Sequence, residues 1–142
     1  MRKNELITKI MTPASKIESV HIDQKLSEVR QILSDKEVHH VPVLSGDKLV
    51  GLISATDMLK MTFTAYGGDQ RSFDAYLDHE FTIEKVMTKE LTTLTNNATI
   101  REAALMLSKD VFNSLPIVGD ENTFMGLVTT KDLARHVHEL YS

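Results

Sequence analysis

The sequence predicts an α+β fold built from two tandem repeats, each running strand, helix, strand, strand, helix, with the two sheets packed face to face as a pseudo-twofold pair. Three observations predict it. Blocks of sequence return in the same order, each copy alternates strand-type and helix-type apolar patterns, and each copy is too small to cover its own sheet.

The returning blocks come first. Ile7-x-x-Ile10-Met11-Thr12 recurs as Ile83-x-x-Val86-Met87-Thr88. Val41-Pro42-Val43 recurs as Leu115-Pro116-Ile117, and Gly51-Leu52-Ile53-Ser54-Ala55-Thr56-Asp57 recurs as Gly126-Leu127-Val128-Thr129-Thr130-Lys131-Asp132. The offset is about 75 residues each time, the mark of a duplicated structural unit. The copies span 4–62 and 80–142, with a non-repeated insert at 63–79.

Each copy starts with a short apolar stretch, Ile17 to Val20 and Thr92 to Leu94, that suits a strand. A helix follows. In copy one Leu26, Val29, Ile32 and Leu33 share a face, and in copy two Ile100 to Leu107 is led by a capping box, Thr99-x-x-Glu102. Val41 to Leu44 with Leu49 to Ile53, and Leu115 to Val118 with Phe124 to Val128, read as paired strands. Their connections, Ser45-Gly46-Asp47 and Gly119-Asp120-Glu121-Asn122, have hairpin chemistry. The closing helices run from Ala55 to about Met61 and from Thr130 to about Leu140. A sheet with both helices on one face leaves the other bare, and a unit of roughly 60 residues is marginal alone. Pairing sheet to sheet covers both bare faces.

Composition narrows the function. The chain has 142 residues, 42% of them hydrophobic, which supports a real core and argues against disorder. A net charge of −4 argues against a duplex nucleic-acid binder, which needs a basic stripe. With no cysteine there is no disulfide, thiolate zinc site or thiol nucleophile. No apolar run approaches the roughly 18 residues of a spanning helix. Met1-Arg2-Lys3-Asn4-Glu5 lacks the apolar stretch of a signal peptide. The expectation is a soluble cytoplasmic protein without membrane contact.

The Ile-Met-Thr segment, the hydrophobic-Pro-hydrophobic strand and the Gly-h-h-[Ser/Thr]-x-x-Asp segment, duplicated in order, resemble the CBS domain family. The resemblance covers nearly the whole chain and implies a stand-alone CBS pair (a Bateman module) with two clefts between the sheets. It also implies an adenosine-type ligand: AMP, ADP or ATP, or S-adenosylmethionine or cyclic di-AMP. Family members associate as homodimers of pairs.

A nucleotide site needs an apolar place for the base, a carboxylate for the ribose and donors for phosphate. Asp57 and Asp132 each offer two acceptor oxygens to vicinal hydroxyls. Ser54 and Thr129 sit at helix starts, where free N–H groups favour anions. The resemblance implies the same roles for these four residues. Gly51 and Gly126 suit close backbone packing. Pro42 and Pro116 lack a backbone donor, which fits an edge strand beside the base. Ser54-x-x-Asp57 and Thr129-x-x-Asp132 are equally plain helix caps, a reading compatible with ligand binding. His39 and His40 stand where the family supplies basic residues to phosphates, whereas copy two has Asn113-Ser114, so the first site is expected to tolerate more phosphate charge. The other reading of this pair is one histidine covering core and one solvated. Lys16 and Thr92 occupy stretches where the family places base or phosphate contacts.

His136 and His138, two apart on a helix, point to different faces, so no metal pair is expected. The seven methionines read as core filler, and Tyr66, Phe73 and Tyr76 of the insert as cover for the core edge or a dimer contact. The leading function is a non-catalytic ligand sensor that signals to a separate target protein. The alternative is a protein-interaction or dimerisation module with degenerate nucleotide sites. An enzyme is disfavoured, because no activated nucleophile, P-loop or metal cluster is grouped in the sequence.

Overall fold

A computed structural model of the chain describes residues 4–36, 38–62, 70–109 and 113–142. Along the chain it places β1 (Thr12–Pro13), β2 (Val20–His21), α1 (Leu26–Asp35), β3 (His40–Ser45), β4 (Lys48–Ser54), α2 (Ala55–Thr62), α3 (Gln70–Glu80) and α4 (Ile83–Val86). Then come β5 (Leu94–Thr95), α5 (Ile100–Leu107), β6 (Ser114–Val118), β7 (Phe124–Thr129) and α6 (Thr130–Leu140). The fold is α+β, and the strand-helix-strand-strand-helix order stands in both copies. Two units form, each with its own sheet. A mid-chain unit spans Glu18–Leu91, and a two-ended unit joins Met1–Ile17 to Thr92–Ser142.

In the mid-chain unit the sheet order is β2-β3-β4. β2 runs parallel to β3, and β3 and β4 form an antiparallel hairpin. Gly46 makes the turn at φ +64°, a conformation open to glycine without a Cβ clash. Along β4 the buried positions alternate at Leu49, Gly51 and Ile53, the period of a half-buried strand. α1 starts where the Glu28 carboxylate accepts from the Lys25 N–H at 3.1 Å, and it buries Leu26 and Val29. The core gathers Val20, Val41, Val43, Ile53 and the methionines Met58, Met61 and Met87.

The insert holds an element that the repeat pattern does not supply. α3 places Leu77 fully inside this core and packs Phe73 against it. Tyr76 meets Phe81 edge to face at 6.1 Å. Arg30 of α1 grips Asp74 with two bonds (Nε 2.6 Å, Nη2 3.2 Å). Asp78 accepts from the Ser27 N–H at 2.9 Å and its hydroxyl at 2.6 Å. The insert aromatics Phe73 and Tyr76 thus cover their own core edge. Tyr66 and Gly67-Gly68 lie outside the described residues.

In the two-ended unit the sheet order is β1-β7-β6-β5. Its core holds Ile7, Ile100, Ala103, Leu107, Leu115, Ile117 and Val128, with Met11, Met106 and Met125 packed against it. Thr99 caps α5 by accepting the Glu102 N–H at 3.1 Å, which is half of the expected capping box. In the β6–β7 connection the left-handed residues are Glu121 (φ 54°) and Asn122 (φ 66°), while Gly119 is extended. Gly119 therefore does not make this turn.

The repeated Ile-Met-Thr segments are exchanged between the copies. Ile7 donates to the Ala98 carbonyl at 2.8 Å, and Thr12 pairs with Leu127 of β7. In the other unit Thr88 and Leu52 of β4 exchange N–H···O bonds of 3.1 and 2.8 Å. Each segment from one copy thus lies on the glycine-bearing strand of the other. Both glycines permit this approach. A Cβ on Gly126 would lie 2.3 Å from the Thr12 carbonyl oxygen, and one on Gly51 would lie 2.4 Å from Met87 Sδ.

Two expectations need correction. The first strand of each copy sits later than the apolar stretch suggests, at Val20–His21 and Leu94–Thr95, because those residues align with the ends of β3 and β6. Pro42 and Pro116 do not lie on edge strands, because β3 and β6 are the inner strands of their sheets. The physical reason is local. Leu52, opposite Pro42, turns both backbone groups toward Thr88, so the proline nitrogen faces the other side. There β2 begins one residue later, opposite Val43. The missing donor thus costs no ladder bond.

Candidate functional site

The repeated helix starts are built alike. Where β4 meets α2, the Ser54 N–H donates to Asp57 Oδ2 at 2.9 Å, and the Asp57 N–H donates to Ser54 Oγ at 3.1 Å. Where β7 meets α6, the Thr129 N–H donates to Asp132 Oδ2 at 2.9 Å, and the Asp132 N–H donates to Thr129 Oγ1 at 3.1 Å. Each is a reciprocal capping box with an acidic residue in the first helical turn. The cap reading is therefore realised in both copies. The macrodipole at each helix N-terminus still favours an anion, while the cap N–H groups are engaged within the chain.

The mid-chain unit brings five of the singled-out residues together. His40 pairs with Ser54 across the hairpin, and the Ala55 N–H donates to the His39 carbonyl at 2.9 Å, so both histidines stand beside the Ser54–Asp57 box. Pro42 follows two residues along the same strand and is buried. His39 is exposed and His40 half-buried. Burial, reinforced by neighbouring His39, holds the His40 imidazole below its ordinary pKa, while Asp57 pulls it upward. His40 is thus mainly neutral near pH 7, and an approaching anion would favour its protonation.

The two-ended unit repeats the layout with different chemistry. Ser114 pairs with Thr129, and the Thr130 N–H donates to the Asn113 carbonyl at 3.2 Å, so Asn113-Ser114 takes the place of the two histidines. Pro116 is buried on β6. Lys16 is exposed on a 3-10 turn, Ala14–Lys16, that packs against β7, so it belongs to the unit of Thr129 and not to that of Ser54. Thr92, also exposed, opens the second segment of the same unit. Asp132 is only 5% exposed, and its Oδ1 accepts from Arg135 Nη1 at 3.3 Å. Sequence reasoning passed over Arg135, although Asp and Arg three apart on a helix are neighbours.

No helix among the described residues is long and apolar enough to cross a membrane. A family model described as "CBS domain" matches residues 7–62 and 83–139. Among solved structures, CBSX2 of Arabidopsis thaliana, determined in complex with AMP, is 20% identical with a TM-score of 0.81, covering 97% of this chain and 99% of that one. The CBS domain pair of protein MJ0100, in complex with 5-methylthioadenosine and S-adenosyl-L-methionine, is 24% identical with a TM-score of 0.71, covering 93% and 98%. Among curated proteins, a homoserine O-acetyltransferase of Methanohalobium evestigatum is 32% identical over 116 residues, 80% of this chain and 21% of that protein. The chain spans about a fifth of the length of the curated relatives it matches first.

Proposed function

The chain belongs to the CBS domain family, and from that premise we propose that it is a non-catalytic sensor of an adenosine-containing ligand, with AMP, ADP or ATP foremost. The observation that carries this reading is the twice-built box of Ser54–Asp57 and Thr129–Asp132 at a strand end and helix start. It joins a carboxylate for a ribose diol to a Ser54 or Thr129 hydroxyl whose O–H can donate to a phosphate. Structures of the same fold with AMP, or with 5-methylthioadenosine and S-adenosyl-L-methionine, support it. The enzymes among the relatives share only about a fifth of their length with this chain, so their reactions are not carried over.

In this reading ligand binding biases the packing of a homodimer of CBS pairs, and a separate target protein reads the change. The ligand must bind one arrangement more tightly than the other to do so. His39 and His40 meet the phosphate at the mid-chain box, so binding there takes up a proton at His40 and strengthens as pH falls.

The test is calorimetric titration of AMP, ADP, ATP, S-adenosylmethionine and cyclic di-AMP into the protein, with Asp57→Ala and Asp132→Ala alongside. Binding of at least one ligand, weakened by one or both substitutions, is expected. If folded protein binds none at millimolar concentration, the boxes are helix caps only, and the chain is a dimerisation or partner-binding module.

A further inference from the structure

The two boxes are alike in their caps and unlike three residues further on. Asp132 uses both carboxylate oxygens within the chain, Oδ2 on the Thr129 N–H and Oδ1 on the Arg135 guanidinium, and it is 5% exposed. Asp57 uses Oδ2 in the same way, on the Ser54 N–H. Its Oδ1 has no hydrogen-bond or ion-pair partner among the described residues, and its side chain is half-buried. The position matching Arg135 in α2 is Lys60, which is exposed and makes no ion pair among the described residues. The difference has a chemical cause. Arg presents a planar fork whose outer nitrogens reach a carboxylate three residues back, whereas the Lys ammonium is a compact, strongly hydrated point charge.

We propose that Arg135 is a specificity-determining latch: it occupies the Asp132 oxygen that a ribose diol requires, and so directs the first nucleotide to the Asp57 box. This inference rests on the ligand-sensor reading and adds to it an order of filling. A diol needs two acceptor sites on one carboxylate. Asp57 keeps Oδ1 wholly open beside the second lone pair of Oδ2, while at Asp132 the Arg135 guanidinium stands at Oδ1, so a diol spanning both oxygens displaces it. The Arg135 side chain is 57% exposed, so the latch opens readily and weakens the second site without abolishing it.

Charge-conserving exchanges test this. AMP is titrated into wild type, Arg135→Lys and Lys60→Arg, with 2′-deoxy-AMP as the probe lacking the diol. Asp57→Asn and Asp132→Asn assign each step to its box. Wild type is expected to bind AMP first at the Asp57 box. Arg135→Lys strengthens the second step about threefold to tenfold, and Lys60→Arg weakens the first by a similar factor. 2′-Deoxy-AMP binds the Asp57 box about tenfold or more weakly than AMP. The latch is refuted if Asp132 fills first, or if both exchanges leave both steps within twofold of wild type while AMP still binds. Absence of AMP binding in every variant overturns the sensor reading itself, and the latch with it.

Discussion

Replacing Gly126 with Ala should separate the two exchanged contacts. Gly126 lies on β7 between β1 and β6, and its new Cβ would stand 2.3 Å from the Thr12 carbonyl oxygen and 3.2 Å from Pro13 Cα. The first distance is more than about 1 Å short of an ordinary nonbonded contact. The obstacle is backbone, so no side-chain rotation relieves it. Either β7 shifts against its core or β1 leaves the sheet. Overpacking costs about 1–3 kcal/mol, and lost pairing with β1 adds about 0.5–1.5 kcal/mol per hydrogen bond. The expected loss is about 2–4 kcal/mol, a large part of a typical domain's stability. Gly51→Ala is the control. Its Cβ would meet Met87 Sδ at 2.4 Å and Cγ at 2.8 Å, atoms of a flexible side chain. Moving them costs about 1 kcal/mol. Urea denaturation followed by circular dichroism, without ligand, gives both values. The reasoning is refuted if Gly126→Ala lies within about 0.5 kcal/mol of wild type, or if Gly51→Ala is the more damaging change.

Other outcomes follow from the same geometry. Ser54→Ala and Thr129→Val each remove a cap acceptor and should lower stability by about 1 kcal/mol in urea melts. Leu77→Ala empties a fully buried position and should cost about 2–5 kcal/mol; a value under about 1 would mean that α3 is not part of the mid-chain core. His40 should make stability rise with pH. Its folded pKa lies below 6.5, so below that value the unfolded chain binds the proton first, and stability present above 6.5 is lost as pH falls through the folded pKa. Urea midpoints from pH 5 to 8 should show this slope in wild type and a smaller one in His40→Gln.

Much of this architecture is legible in one sequence because the physics is local. The hairpin at Gly46, the Ser54–Asp57 and Thr129–Asp132 caps and the helix faces of Leu26, Val29, Ile100 and Leu107 each depend on residues a few positions apart. α3 carries a helical signal, since Phe73, Tyr76 and Leu77 stand at i, i+3 and i+4 among polar residues, but it lies in the non-repeated insert, where the repeat supplies no element to match it. Its docking depends on Arg30 and Ser27, more than 40 residues away in sequence.

The repeat, its order of elements and the residues that form each box can be read from the chain alone, because periodicity, turn chemistry and capping act over one or two turns of chain. Which Ile-Met-Thr segment lies on which glycine strand is instead set by long-range contacts. The two segments are near-identical, and so are the two strands, so local chemistry is satisfied either way. Only the course of the chain in space selects the exchanged pairing, Thr12 on Leu127 and Thr88 on Leu52. It also decided that Asp132 is held by Arg135 while Asp57 keeps an oxygen open, because reach and burial are properties of the folded side chains.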